Sequence, residues 1–180
     1  MAYVLEPIKL VLPSTEYKES FIAGNEEFRN SREEYVNIST DFEAYIEKLN
    51  NHRRGLDLPE NWVPYSTFWL VEGNEYIGTG GLRHVLNDYL KVIGGHIGYG
   101  IRPSYRKKGY GRIILKLLLA EAAKLGIKEA LVTCASENLP SKQIIEANGG
   151  VLVDEVIADL DGVARRTLRY RIATGLVADI

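Results

Sequence analysis

Hydrophobic positions recur every second residue along some stretches of the chain and every third or fourth along others, and the two periods divide it into elements. "YVLEPIKLVLP" (3–13) reads as a short first strand, ended by Pro13. From residue 14 to about 54 the pattern is helical in two pieces, with an interruption at Ser31 or over 37–40. In "DFEAYIEKL" (41–49), Phe42, Tyr45, Ile46 and Leu49 fall on one helical face. Two prolines in "GLDLPENWVPY" (55–65) mark an ordered loop.

Strands follow over 66–73 and 75–85, flanking a tight turn at Gly73-Asn74. A third strand, "KVIGGHIGYGI" (91–101), carries glycines where another group could approach the backbone, and Pro103 ends it. "GRIILKLLLAEAAKLG" (111–126) predicts a helix with an apolar stripe of Ile113, Ile114, Leu117, Leu118 and Leu125, stopped by Gly126. Then come a buried strand (129–136), a short helix (139–150) closed by Asn-Gly-Gly, a strand (151–159), a turn at Asp161-Gly162 and a last strand (163–173). This order predicts a mixed α/β (α+β) sheet with helices on its faces, in one domain spanning 1–180.

Composition narrows the function classes. A net charge of -2 argues against a general nucleic-acid binder. Cys134 is the single cysteine, so no intrachain disulfide forms and a reducing compartment is expected. Charges interrupt the N-terminal apolar run, and no stretch approaches the roughly 18 apolar residues of a spanning helix. The expected location is the cytoplasm. No His/Cys/Asp/Glu spacing suggests a metal.

The densest basic run is "RKKGYGR" (106–112), at the point where a strand gives way to a helix. A helix N-terminus exposes unpaired N–H groups and about half a positive charge, and adjacent glycines admit a ligand to them. The run is therefore either a solvated turn or a phosphate cradle. Two familiar cradles are excluded. A P-loop needs Ser or Thr after Gly-Lys, and Gly109 is not followed by Lys. A dinucleotide fingerprint needs a third glycine where Ile114 stands.

The segment Arg106-Lys107-Lys108-Gly109-Tyr110-Gly111 resembles the Arg/Gln-x-x-Gly-x-Gly/Ala signature of the GNAT superfamily of N-acetyltransferases. "HIGYGIRPSYRKKGYG" resembles the strand and loop of its ribosomal-protein N-terminal acetyltransferase branch. "ALVTCASENLPSKQIIEANGG", with Asn138 and Ser141 at Asn-x-x-Ser spacing, resembles the next strand and helix. The resemblance covers about residues 66–160 well and the N-terminal helices only by order of elements. It implies a mostly antiparallel sheet of six to seven strands with helices on both faces, and acetyl-coenzyme A as the acetyl donor.

The resemblance assigns the diphosphate to the amides of Arg106, Lys107, Lys108, Gly109, Tyr110 and Gly111, and the pantetheine arm to the backbone of Tyr99 through Ile101. A strand N–H there would bind the thioester carbonyl and its oxyanion, worth about 3 kcal/mol in other systems. Asn138 would touch the cofactor from the opposite side. His96 stands where relatives often carry a glutamate and is the candidate base; a packing role is the alternative. Relatives often place a thiolate-protonating tyrosine where this chain has Ile145; Ser141 is the candidate acid here, with helix capping as its alternative. The acceptor is a primary amine of a small molecule or a protein or peptide N-terminus, with no nucleic acid and no membrane partner, and a homodimer is compatible with this reading.

Other residues carry plainer expectations. Cys134 reads as core; "LRH" (82–84) and Asn87 sit near the strand end where acceptors could enter, with a structural loop role as the alternative for His84; His52 reads as solvated, and Trp62, Tyr65 and Trp69 as core or pocket wall. Two further readings remain: a non-catalytic acyl-coenzyme A sensor on the same fold, and a nucleotide-phosphate binder for which ATP would compete at 106–111.

Overall fold

The computed structural model describes residues 7–31, 33, 41–160 and 163–175. Of the expectations above, residues 3–6 of the first strand, the interruption at 37–40 and the turn at 161–162 lie outside them. Among the described residues, strand β1 (Ile8–Val11) is followed by a 3-10 turn and helices α1 (Lys18–Asn30) and α2 (Phe42–Arg53). The hairpin of β2 (Tyr65–Glu72) and β3 (Glu75–Arg83) turns at Gly73, whose φ is +56°. Then come α3 (Asp88–Val92), β4 (Ile97–Ile101), α4 (Tyr110–Lys124), β5 (Glu129–Ala135), α5 (Leu139–Ala147), β6 (Val151–Leu160) and β7 (Val163–Ala173). No helix among the described residues is long and apolar enough to cross a membrane.

The seven strands of the described residues form two antiparallel sheets, β1-β2-β3-β4 and β5-β7-β6. They meet at a bridge between Gly95 and Val132. The α/β fold class read from the sequence is the one found, with its sheet divided between β4 and β5.

The third predicted strand is shorter than expected. Residue 91 belongs to α3, which Asn87 caps by accepting the Leu90 N–H, and Gly94 and Gly95 follow at φ +98° and +59°. Left-handed backbone cannot continue a strand, so β4 begins only at Ile97.

Two apolar clusters hold the layers together. On one face of the four-stranded sheet, Ile114, Leu115, Leu118, Leu119 and Ala122 of α4 pack on Leu70, Leu82 and Ile97. The predicted stripe is rotated by one residue: Ile113 and Leu117 are half-buried and Leu125 is exposed. On the other face, Phe21 of α1 stacks on Trp69, ring centroids 4.3 Å apart, with Phe42 of α2 and Tyr76 beside them. A bulge re-phases β3: Val71 faces Tyr76 and Leu70 faces Gly78. The extra residue, Ile77, joins the α4 side while Tyr76 joins the α1 side.

Candidate active site

The loop between β4 and α4 is shaped from α1. Glu27 accepts from the Arg102 Nε at 2.7 Å and from the Ser104 N–H at 2.9 Å. Partial burial raises its pKa, but the Ser104 N–H and Arg102 outweigh that and hold the carboxyl below its usual range. Arg106 donates both terminal nitrogens to Glu33, at 2.8 and 2.7 Å, and its Nε to the Ile101 carbonyl at 2.9 Å. That fork holds Glu33 low and Arg106 high. The Arg106 N–H is already used, donating to the Pro103 carbonyl at 3.2 Å.

Beyond Arg106 the amides are unused. Lys107 at φ +60° and Gly109 at φ +90° are left-handed, which turns successive N–H groups into one concavity. Gly109 is the N-cap of α4 and offers no side-chain acceptor. Among the described residues no acceptor meets the N–H groups of Lys107, Lys108, Gly109, Tyr110 or Gly111; the next N–H, that of Arg112, donates to the Gly109 carbonyl at 3.0 Å. The two loop glycines differ in purpose. A Cβ at Gly109 would meet nothing within 4 Å, so that position needs glycine for its φ; one at Gly111 would lie 2.5 Å from Ile144 Cδ1, so that position is small to let α5 pack. The Tyr110 hydroxyl donates to Glu72 at 2.7 Å and ties the helix start to β2.

The divided sheet leaves one edge of β4 free. Arg102 N–H donates to Ile77 of β3, so by strand alternation the backbone groups of Tyr99 and Ile101 point the other way. The Arg106 Nε on the Ile101 carbonyl lies on that free side. Across the gap, Asn138 caps α5 by accepting the Ser141 N–H at 3.1 Å, and the Ser141 hydroxyl lies 3.1 Å from that of Tyr99. Burial pushes Tyr99 up to about 12, so its phenol stays protonated at neutral pH. Cys134 is buried beside Ser141, and burial raises its thiol. Ile145 is fully buried core.

His96 stands where the gap closes. Its N–H donates to the Leu131 carbonyl at 2.7 Å, and its Nδ1 accepts the Leu131 N–H at 2.9 Å. The ring is therefore neutral with its proton on Nε2; burial first and Arg83 second lower its pKa. The one basic lone pair is committed to the seam between the sheets.

On the α1 side of the sheet lies a cleft of about 1170 Å³, with Gly81, Gly98 and Gly100 in its floor and Phe28, Trp62, Tyr65 and Tyr89 in its walls. Tyr99 and Asn138 line it too, so it communicates with the free edge of β4. His52 is buried, against the solvated position read from its polar neighbours; its Nδ1 lies 2.7 Å from the Tyr65 hydroxyl, and burial lowers its pKa. His84 is bonded to Ser66 at 2.9 Å. Trp69 is core, whereas Trp62 and Tyr65 are pocket wall. The Tyr99–Ser141 contact was not legible from motifs because it joins segments 42 residues apart. Arg83, another lining residue, lies in the "LRH" stretch expected near the acceptor's entry, where no motif assigns it a role of its own.

Solved structures resemble this chain over 92–96% of its length. RimL, the ribosomal L7/L12 alpha-N-protein acetyltransferase solved with coenzyme A, is 15% identical with a TM-score of 0.66, covering 96% of this chain and 99% of its own. MccE, the microcin C7 self immunity acetyltransferase solved with acetyl-CoA and AMP, is 17% identical with a TM-score of 0.67 and 92% coverage of both chains. A spermidine N-acetyltransferase SpeG chimera from Vibrio cholerae and hSSAT is 15% identical with a TM-score of 0.63, covering 93% of this chain and 95% of its own. A search of curated protein sequences finds no match. At these identities the structures establish a shared fold. The sequence model of the acetyltransferase (GNAT) domain matches residues 12–151, and with the loop, the divided sheet and α4 in the places described, the chain belongs to the GNAT acetyltransferase family.

Proposed function

We propose that the chain is an N-acetyltransferase that passes the acetyl group of acetyl-coenzyme A directly to a primary amine, of a small molecule or a protein N-terminus, in a ternary complex. The observation that carries this reading is the run of unpartnered amides at 107–111, set beside the free edge of β4. Relatives of the same fold solved with coenzyme A or acetyl-CoA support the choice of donor. Acetyl-coenzyme A supplies the acetyl group as a thioester.

The chain's own residues bind and orient. In this reading the amides of Lys107 through Gly111 hold the diphosphate, and Lys107, Lys108 and Arg112 add attraction at longer range. Tyr99 and Ile101 offer backbone groups to the pantetheine amides, as an added strand would. Asn138 faces the same arm from α5. Arg106, tied to Glu33 and Ile101, shapes the loop, and its amide is left out of the diphosphate set. Ser141, whose hydroxyl lies 3.1 Å from that of Tyr99, passes a proton to the departing thiolate and regains one from solvent. His96 holds the start of β4 in place, and to act as base it would have to release the Leu131 N–H. Deprotonation of the amine by water in the cleft needs no such rearrangement. The lone buried cysteine agrees with a reducing compartment, and we place the chain in the cytoplasm.

Coenzyme A titrated calorimetrically into the wild type and Gly109→Asp tests the reading. The carboxylate would stand beside the diphosphate, and the affinity should fall on the order of a hundredfold with the fold intact. ATP binding as tightly as coenzyme A would favour the nucleotide-phosphate reading instead. One observation favours the sensor reading: the committed lone pair of His96. Coenzyme A bound tightly, with no coenzyme A released from acetyl-coenzyme A across an amine panel, would establish the sensor.

A further inference from the structure

The geometry points to an acceptor amine that also carries an oxyanion, a carboxylate or a phosphate, gripped by Arg83 while the rest of the molecule lies on the floor of Gly81, Gly98 and Gly100. This rests on the acetyltransferase reading above and names the class of amine which that reading leaves open.

Arg83 ends β3 and lines the cleft. Its Nη1 donates to the carbonyls of Gly94 and Gly95, at 3.2 and 3.0 Å, which fixes the plane of the guanidinium. Nε and Nη2, on the other edge of that plane, have no partner among the described residues. Two parallel N–H groups on one rigid edge match the two oxygens of a carboxylate or phosphate. No carboxylate of the described residues is paired with Arg83, which is half-buried. A partly desolvated cation without a counter-ion favours an anionic ligand more strongly than a solvated one does.

The other charges in the lining do not cancel it. Glu33 is taken by the two terminal nitrogens of Arg106, and Arg165 adds a second cation at the rim. A polyamine would therefore enter a cleft of its own sign.

The floor shows where the body of the ligand goes. A Cβ at Gly81 or Gly98 would meet nothing within 4 Å, and one at Gly100 only the Phe28 ring at 4.0 Å. None of the three has a left-handed φ, so neither packing nor backbone conformation requires glycine there. The space above them is bounded by Trp62 and Tyr89, which are 55% and 58% exposed and leave their rings available to a flat or apolar body.

The test uses the full chain, acetyl-coenzyme A, and amines that differ at one substituent: phenylalanine, (1-amino-2-phenylethyl)phosphonic acid, phenylalaninamide and phenethylamine, with spermidine alongside. Phenylalaninamide controls for the effect of an α-substituent on amine basicity, and the carboxylate and phosphonate arms separate the two oxyanions. At least one oxyanion-bearing amine should exceed phenylalaninamide in kcat/KM by roughly tenfold to a hundredfold. Arg83→Lys, which keeps the charge and loses the fork, should remove most of that preference, and Arg83→Met should remove it fully. Coenzyme A titration of each variant verifies that the site is still folded. Equal turnover of phenylalaninamide, a preference for spermidine, a preference that survives both substitutions, or no turnover of any amine by protein that binds coenzyme A would each overturn the inference and leave the cofactor site standing. Failure of the wild type to bind coenzyme A would overturn both.

Discussion

Toward α4, a methyl group added at Gly80 would lie 2.6 Å from Leu118 Cδ1, and one at Gly78 would run into the backbone carbonyl of Gly100. Toward α1, one residue further along β3, a methyl group added at Gly81 would meet nothing within 4 Å, and the same holds at Gly98 across the pair. The same residue type thus does opposite things on the two faces of one strand pair. On the α4 face it lets a helix and a neighbouring strand come close enough to bury Leu118, Leu82 and Ile97. On the α1 face it leaves room that the protein itself does not fill. A glycine-rich strand is therefore two signals superimposed with period two, and only the packing on each face separates them.

The largest effect should come from filling the closed face. Gly80→Val forces Leu118 or α4 aside and should cost about 3 kcal/mol, a fall of roughly 6–12 °C in the thermal midpoint. A midpoint shift under a degree would mean that α4 is not seated as described. Filling the open face should do the reverse. Gly98→Val should leave stability within about 0.5 kcal/mol and lower kcat/KM for the acceptor roughly tenfold, with coenzyme A affinity kept. If both substitutions destabilised equally, the distinction between the faces would be lost.

Gly109 offers a third case, where glycine serves backbone conformation alone. Gly109→Ala places a side chain at φ +90° and should cost about 1 kcal/mol in chemical denaturation, with no steric penalty beyond it. No measurable cost would show that the loop relaxes out of the left-handed region.

The smallest effect is on acid stability. Burial is the first cause lowering the pKa of His52, His84 and His96, and the seam bond from Leu131 to His96 Nδ1 requires the neutral ring. Between those lowered values and about 6.5 the unfolded chain binds more protons than the folded one. Stability from these groups is therefore complete above about pH 6.5 and falls as pH drops below it. Thermal midpoints across the range should decline on the acid side before the carboxylates titrate, and a flat profile would contradict the assignment.

Much of the fold was legible because it rests on local periods. The β2–β3 hairpin, α4 and the α5–β6–β7 order follow from alternation, helical stripes and turn residues. The departures come where a local pattern meets a non-local partner. Apolar alternation continued through 91–96, but Asn87 and the left-handed Gly94 and Gly95 fold that stretch into a helix and a turn. The α4 stripe rotated by one residue because α5 covers the helix as well as the sheet, through Ile144 against Gly111. His52 lies among polar neighbours in sequence and is buried against Tyr65, thirteen residues on. At the site, "RKKGYGR" marked the loop, but the loss of the Arg106 amide to Pro103 depends on a turn that residue identity alone does not specify. Arg83 stood in a stretch read as lying near the acceptor's entry, but no motif gave it a role; its free edge exists only because the carbonyls of Gly94 and Gly95 hold the other one.

The central claim is that the amides of Lys107 through Gly111 are the diphosphate anchor. Titrating coenzyme A into 15N-labelled protein and following backbone amide shifts tests it directly. The largest shifts should fall on residues 107–111, with a second group at Tyr99–Ile101 and Asn138. Binding that left 107–111 unmoved, or moved a different helix N-terminus instead, would contradict it.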